Sequence, residues 1–107
     1  MPREKFRTLT EQMFYILLCL QSEGCGMDIL DLIPAMTNGR VNIGSGTLYD
    51  LLEQFTAAGM IRETRRERRR RSYILTDAGR QLLERDYRRI RAQAADYERL
   101  MEGGSAT

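Results

Sequence analysis

The chain has 107 residues, of which 42% are hydrophobic, and a net charge of only +2, as expected of one small domain with a modest core. No stretch has the length and apolar character of a membrane span, and the polar N-terminus does not resemble a signal peptide, so a cytoplasmic protein without a membrane partner is expected. The sequence has no histidine and two cysteines, and therefore metal sites, other cofactors and enzymatic catalysis are not expected.

The first helix is predicted over residues 11–21, after a flexible basic arm over residues 1–8. Thr10 is a suitable N-cap, and residues 13–20 are eight consecutive apolar residues. At about 100° per residue, such a run covers the whole circumference of a helix. One side can pack on the domain, and the other is expected to meet a second copy of the chain. The alternative is that the C-terminal segment of the same chain covers it.

The two cysteines differ in context. Cys19 lies inside the apolar run and is expected to be a buried structural thiol. For Cys25, in the glycine-rich turn that follows, an exposed position and a redox role both remain open. Their spacing is not that of a redox dithiol.

A second helix is predicted from four apolar residues at helical spacing, Ile29, Leu30, Ile33 and Met36. Pro34 lies inside it. Because proline lacks an N–H and its ring clashes with the preceding turn, a kink or break is expected near Ile33. Residues 41–43 then alternate apolar and polar side chains, which predicts a very short strand beside the hairpin that follows.

Residues 44–75 predict a helix followed by a β-hairpin. The helix has one apolar face, formed by Leu48, Leu51, Leu52 and Phe55. Ser45 is expected to cap it by accepting a hydrogen bond from the Leu48 N–H, and Gly59 is a suitable residue to end it. Two strands follow, the first from residues 60–61 and the second ending at residues 73–75. A helix followed by such a hairpin is typical of a winged helix.

The hairpin carries most of the positive charge. Residues 62–71 contain seven arginines against two glutamates, a balance of +5, so the remainder of the chain is net negative. Charged residues also protect exposed strand edges from aggregation, but one or two are enough for that. Seven arginines favour bidentate contacts with the phosphates of a polyanion. The candidate residues for contact with such a polyanion are Ser45, Thr47, Tyr49, Asp50, Arg65, Arg66, Arg68, Arg69 and Arg70.

A long last helix is predicted from Thr76, its N-cap, to about residue 102, before a disordered tail over residues 103–107. Its apolar residues recur at intervals of four and three, as in a coiled coil. About 25 residues span roughly 37 Å, longer than the body of so small a domain, so the helix is expected to pair within a homodimer. An ordinary amphipathic helix would explain only the first half of the pattern. Asp86 is assigned to the solvated face. The candidate dimerisation residues, two of them from the first helix, are Phe14, Leu18, Leu83, Tyr87, Ile90, Ala94, Tyr97 and Met101.

An apolar cavity at such a dimer interface is a candidate site for a small apolar ligand. Packing between the two chains explains the same side chains equally well, so both interpretations remain open. The residues concerned are Phe14, Tyr15, Tyr97 and Met101.

Four segments, in order and with suitable spacing, resemble PadR-type transcriptional regulators: residues 9–18, 44–49, 59–61 and 71–80. The Gly-Thr-Leu-Tyr element of the second segment, joined to the Tyr-Ile-Leu-Thr-Asp-Ala-Gly element of the fourth, is quite specific. The resemblance implies a mainly α fold with a small β-hairpin. It also implies a winged helix-turn-helix DNA-binding domain over residues 9–76 and a long C-terminal dimerisation helix over residues 77–102, as in the family's subgroup with a short C-terminal segment.

The same resemblance implies a homodimer that represses transcription by binding double-stranded DNA at a palindromic operator, and that loses DNA affinity when a small, often aromatic molecule binds. Family members often have His-Gly-Tyr where this chain has Cys25-Gly26-Met27, so inferences from that histidine do not transfer. Asp50 places an acid near the start of the recognition helix, where it can read a cytosine amino group or lie off the DNA. The alternative function is an interaction module, a winged helix that docks on an acidic partner protein.

Overall fold

A computed structural model describes residues 8–102 of the chain. The predicted tail, and all but one residue of the predicted arm, lie outside this range. The elements, in order, are α1 (Glu11–Cys19), β1 (Gly24–Cys25), α2 (Gly26–Met36), α3 (Ser45–Ala57), β2 (Ile61–Glu67), β3 (Arg70–Leu75), α4 (Asp77–Tyr97) and a π-helical turn (Glu98–Glu102). The chain is thus mainly helical with a small antiparallel sheet, as the sequence predicts. None of the described helices is long and apolar enough to cross a bilayer.

The core lies between α1, α2, α3 and the start of the hairpin. All four apolar residues predicted for α3 are buried, and so are Ile16, Leu17 and Leu20 at the end of the first helix. The wider core adds residues from the other elements, among them Ile29, Ile33, Met60, Ile61, Tyr73, Leu75 and Leu82. The helical spacing of apolar residues therefore identified the buried face of α3 correctly and that of α2 in part, because Ile29 and Ile33 are buried whereas Met36 is 46% exposed.

The sheet has the strand order β1-β3-β2, with both pairs antiparallel. The third strand is β1, and residues 41–43 form no strand, so that prediction is wrong. Val41 lies in a loop with its side chain buried. Its N–H donates to the Thr37 hydroxyl at 3.1 Å rather than to a neighbouring strand. Three alternating residues are too few to distinguish a strand from a loop with two inward-facing side chains.

Capping residues set most of the helix ends. The Thr10 hydroxyl accepts from the Met13 N–H at 3.2 Å, and the Thr76 hydroxyl accepts from the Gly79 N–H at 3.1 Å. Gly59 follows α3 with a φ of 78°, a left-handed conformation that favours glycine. These three predictions are confirmed.

Ser45 is not the N-cap of α3. Gly44 holds that position with extended backbone angles, and its carbonyl oxygen accepts from the Leu48 N–H at 2.9 Å. Because this N–H already has a partner, the hydrogen bond that Ser45 was expected to accept is not needed. Ser45 is the first helical residue, and its side chain is exposed.

Of the kink or break expected near Ile33, the break is wrong, because α2 continues through Pro34 to Met36. Pro34 costs the helix one hydrogen bond, but neighbouring groups tie the last turn together. The Ile33 carbonyl accepts from the Thr37 hydroxyl at 2.8 Å, and the Pro34 carbonyl accepts from the Gly39 N–H at 2.8 Å. Burial of Ile33 holds the helix against the core on the same side.

The first half of α4 packs on the domain, and the second half does not. Its buried residues are Gly79, Leu82 and Asp86, which lie on one helical face. A Cβ on Gly79 would overlap the Met60 carbonyl oxygen, so the start of α4 lies directly against the start of the hairpin. Every residue from Tyr87 to the end of the π-helical turn is exposed.

Candidate nucleic-acid interface

The arginine hairpin, formed by β2, β3 and the turn between them, presents all seven of its arginines to solvent. Two of these arginines make ion pairs: Arg66 with Glu63 at 3.1 Å and Arg70 with Asp28 at 3.9 Å. Within residues 8–102 the other five side chains, Arg62, Arg65, Arg68, Arg69 and Arg71, have no ion-pair partner. Their guanidinium groups are therefore available to an anionic ligand.

The strands of this hairpin are joined by a two-residue turn. Glu67 pairs with Arg70 across the ladder, which leaves Arg68 and Arg69 at the tip. Arg68 has a φ of 57°, an unusual conformation for a residue that is not glycine. The turn places two adjacent guanidinium groups at the most distant point of the hairpin.

The exposed face of α3 carries the four predicted DNA-binding residues of that helix, Ser45, Thr47, Tyr49 and Asp50. The Asp50 carboxylate accepts a hydrogen bond from the Gln54 side chain at 2.9 Å. Tyr49 is 45% exposed, and its ring lies against Gly26 at the start of α2. The first turn of α3 is thus free of covering side chains at its N-terminal end, where the helix dipole favours an anion.

A groove of about 790 Å³ runs between α3 and the arginine hairpin; we call it the arginine groove. Of the predicted DNA-binding residues, five line it: Tyr49, Arg66, Arg68, Arg69 and Arg70. The other four, Ser45, Thr47, Asp50 and Arg65, are exposed outside it. The structure therefore brings one recognition-helix side chain and four hairpin arginines to a common surface.

Sequence reasoning missed six residues of this groove: Cys25, Gly26, Met27, Glu53, Arg71 and Tyr73. Arg71 belongs to the same arginine run. Because side chains alternate between the two faces of a strand, Arg71 lies on the same face of β3 as Tyr73, and this pattern would have included both. The residues from the start of α2 carried no such signal, because only the folded chain places that helix end beside the hairpin.

Cys25 is buried and belongs to the junction between α2 and the hairpin. Its Sγ donates to the Asp28 carboxylate at 3.2 Å, and its backbone N–H donates to the same oxygen at 3.1 Å. Both hydrogen bonds lower the pKa of the Asp28 carboxyl group, and the bond from the backbone N–H has the larger effect. Cys19 is half-buried, and burial raises the pKa of its thiol, which makes it a poor nucleophile.

A second groove, of about 630 Å³, lies between α1 and α4; we call it the interhelical groove. It brings together six of the predicted dimerisation and effector residues: Phe14, Tyr15, Tyr87, Ile90, Ala94 and Tyr97. Leu18, Leu83 and Met101 do not line it. Leu83 packs against the core instead, whereas Met101 is 69% exposed on the final turn.

Asp86 lies in this groove and is 2% exposed, so its assignment to the solvated face is wrong. Its Oδ1 accepts from the Arg89 Nε at 3.0 Å and from the Leu9 N–H at 3.4 Å. These partners explain why a carboxylate is buried there: it ties the segment before α1 to α4. Its Oδ2 is buried without a hydrogen-bond partner in the described part of the chain.

The interhelical groove is linked to the loop that leads into α3. Arg40 donates to the Tyr15 hydroxyl at 3.0 Å and to the Glu11 carboxylate at 2.7 Å. In addition, the Gln12 side chain donates to the Asn42 carbonyl at 2.9 Å. Side chains of α1 therefore hold the segment that precedes the recognition helix.

The family model described as the transcriptional regulator PadR-like family matches residues 16–85. This match covers most of the chain, including α2, α3, the arginine hairpin and the start of α4. The chain belongs to the PadR-like family. The resemblance drawn from the four sequence segments is thereby confirmed, and it places the protein among transcriptional regulators.

Two solved structures resemble this PadR-like regulator. A transcriptional regulator from Clostridium thermocellum has a TM-score of 0.72 at 21% identity, with 83% of this chain and 88% of that chain covered. A PadR family transcriptional regulator from Eggerthella lenta DSM 2243 has a TM-score of 0.69 at 17% identity, with coverage of 96% and 87%. These similarities confirm the winged-helix fold with a long C-terminal helix. Among curated proteins, none matches the chain.

Proposed function

We propose that this PadR-like regulator is a homodimeric repressor that binds a palindromic DNA operator. The observation that carries the proposal is the arginine groove, in which a recognition-helix side chain and four hairpin arginines line one surface. A surface with this charge and breadth fits the backbone and one groove of duplex DNA. A regulator of transcription acts on the chromosome, which agrees with the expected cytoplasmic location.

In this proposal the two elements have different roles. The N-terminal end of α3 enters the major groove, where Thr47, Tyr49 and Asp50 lie nearest the base edges and the adjoining phosphates, with Ser45 at the start of the helix. Asp50 accepts a hydrogen bond from a cytosine amino group. The hairpin arginines hold the DNA backbone or enter the adjacent minor groove: Arg65, Arg66, Arg68, Arg69 and Arg70. Specificity then comes from the helix, and most of the affinity comes from the hairpin.

The homodimer is proposed from the uncovered apolar side chains of α4. Tyr87, Ile90 and Tyr97 are 46%, 40% and 60% exposed, and Leu100 and Met101 of the final turn are 71% and 69% exposed. The heptad spacing of Tyr87, Ile90, Tyr97 and Met101 suits pairing with a second α4, and the half-buried Phe14 and Leu18 of α1 join the interface in this proposal. A two-fold dimer then presents two recognition helices to half-sites about 10 bp apart, or a multiple of that distance.

Release by a small aromatic molecule is the last part of the proposal. The interhelical groove is lined by the rings of Phe14, Tyr15 and Tyr97, and Met101 lies close by in sequence. Thermal shift measurements with a panel of aromatic compounds test for such an effector. A compound that raises the unfolding temperature and weakens DNA binding supports release, whereas a panel without any effect supports a groove filled by chain packing.

Selection of tight binders from random duplex DNA tests the proposal as a whole. We expect recovered sequences with inverted repeats at the predicted spacing, and footprints that protect both halves. A single unpaired half-site contradicts the dimer. Weak binding without sequence preference contradicts the repressor and favours the alternative, a module that docks on an acidic protein.

A further inference from the structure

The phenol ring of Tyr49 lies directly against Gly26, the first residue of α2. A Cβ on Gly26 would lie 2.6 Å from the Cε1 atom and 2.6 Å from the hydroxyl oxygen of Tyr49. These distances are well inside van der Waals contact. A side chain of any size at this position therefore requires the ring to move.

Backbone conformation does not explain the glycine. In the described part of the chain the glycines with positive φ are Gly39 and Gly59, so Gly26 has angles that other residues can adopt. Alanine is also a better helix former than glycine. The missing side chain is needed only because the ring of Tyr49 occupies the space.

The position of this ring shapes the arginine groove. Gly26 and Tyr49 both line the groove, together with the hairpin arginines. Tyr49 is 45% exposed, and within residues 8–102 its hydroxyl has no hydrogen-bond partner. The ring and its hydroxyl thus lie against the start of α2 at the wall of the groove, and the hydroxyl keeps its hydrogen-bonding capacity for a ligand of the groove.

We propose that Gly26 is a positioning residue for DNA binding: its missing side chain lets the Tyr49 phenol lie across the start of α2, where its hydroxyl and the hairpin arginines bind the same stretch of DNA backbone. This inference rests on the proposed DNA binding. It adds the start of α2 to the DNA-binding surface, although Gly26 itself has no side chain with which to touch DNA.

The test compares Gly26→Ala with Gly24→Ala, a matched control two residues away. A Cβ on Gly24 meets no atom closer than 3.8 Å, so this change leaves Tyr49 in place. On the duplex recovered by selection, we expect Gly26→Ala to raise the Kd roughly a hundredfold, the effect of losing one hydrogen bond to a charged group in each of the two chains of the dimer. Gly24→Ala should leave the Kd unchanged. Equal affinity of the two variants overturns the proposal.

A double-mutant cycle separates positioning from general damage to α2. Tyr49→Ala alone should weaken binding by the same factor, and adding Gly26→Ala to it should cause no further loss. An undiminished loss in the Tyr49→Ala background means that Gly26 acts through the helix and overturns the proposal. If Gly26→Ala fails to fold, Tyr49→Ala alone still tests the proposal, because unchanged DNA affinity in that variant means that the phenol does not bind the DNA backbone and overturns the proposal.

The same variants distinguish this inference from the proposed function. If the unaltered chain binds no duplex even at low salt, DNA binding itself is refuted, and the role of Gly26 in it falls as well. If the unaltered chain binds and only the cycle shows no coupling, the repressor stands and the Gly26 inference alone is refuted.

Discussion

Asp86 shows how a single residue can join two distant parts of this chain. Its carboxylate is 2% exposed and binds both the Arg89 guanidinium and the Leu9 backbone N–H. Hydrogen bonds to a buried charged group are stronger than those between neutral groups. Asp86 therefore fastens the start of α1 to α4, beside the interhelical groove.

Asp86→Ala should lower the free energy of unfolding by about 1–3 kcal/mol, because the Leu9 N–H loses its buried acceptor. Urea denaturation followed by circular dichroism measures this change. Asp96→Ala is the matched control. Asp96 pairs with Arg99 at the same i,i+3 spacing and at 3.1 Å, but its side chain is 61% exposed. This substitution should change the free energy of unfolding by no more than about 0.5 kcal/mol. Equal stability of Asp86→Ala and the unaltered chain would mean that desolvation of the unpaired Oδ2 cancels the two hydrogen bonds.

Single-residue predictions failed where a partner from elsewhere in the chain decided the outcome. Asp86 was assigned to the solvated face because it lies off the apolar seam. Its partner Leu9 is 77 residues away in sequence, so the pattern along α4 could not predict the contact. Thr10 and Thr76 were predicted correctly, since their partners lie only three residues away in sequence.

The arginine hairpin is the element with the clearest test. If a dimer neutralises about 6 to 10 phosphates, the logarithm of its DNA affinity should fall against the logarithm of salt concentration with a slope of roughly −5 to −9. Arg68→Ala/Arg69→Ala removes four positive charges from the dimer and should flatten the slope by roughly 2 to 4, on every DNA sequence alike. Titrations at several salt concentrations measure it.

The control for this change is Arg85→Ala/Arg88→Ala, which removes the same charge from exposed positions of α4. It should leave the slope nearly unchanged. An effect of the hairpin variant on one operator only would contradict the assignment of affinity to the hairpin and specificity to α3.

Elements with long periodic patterns were predicted well, and short ones were not. The apolar face of α3 follows from spacing over about two turns, whereas the predicted seam of α4 did not locate the buried face of that helix, which is formed by Gly79, Leu82 and Asp86. By contrast, β1 contains two residues and pairs with β3 over those two positions only. Such a strand exists because the fold brings it beside the hairpin, so nothing in its own sequence distinguishes it from a turn.

At the scale of the whole molecule, the main expectation is the pairing of two chains along α4. Ile90→Glu should give a monomer at micromolar concentration, because a charge at the centre of the apolar seam cannot be buried without a partner. Sedimentation equilibrium measures the mass. Since Ile90 is 40% exposed in the single chain, the variant should still fold.

Ala92→Glu introduces the same charge at an exposed position of α4 outside the seam. We expect it to have the mass of the unaltered protein. If Ile90→Glu also keeps that mass, the seam is not the interface and the two-fold arrangement of recognition helices has to be withdrawn.

The fold class and the family could be predicted from the sequence because helix spacing, the arginine run and the four family segments all agreed. The exposed apolar seam was also predicted, and the structure leaves it uncovered within the described residues. The sequence does not identify the surface that covers this seam, because a heptad pattern can pair with any helix that has a matching apolar face.

The contact at Gly79 has a mechanical consequence. The Thr76 N–H and hydroxyl bind the Met60 and Gly59 carbonyls at 3.0 and 2.6 Å, and Gly79 lets α4 sit against the same backbone. These contacts couple the orientation of α4 to that of the hairpin. The 21 residues of α4 span about 31 Å at about 1.5 Å per residue. If α4 pivots by about 10° about its far end, the end that contacts the hairpin moves by roughly 5 Å. In a pair of chains, a wedge between the helix ends would change the separation of the two hairpins enough to lose register with the DNA.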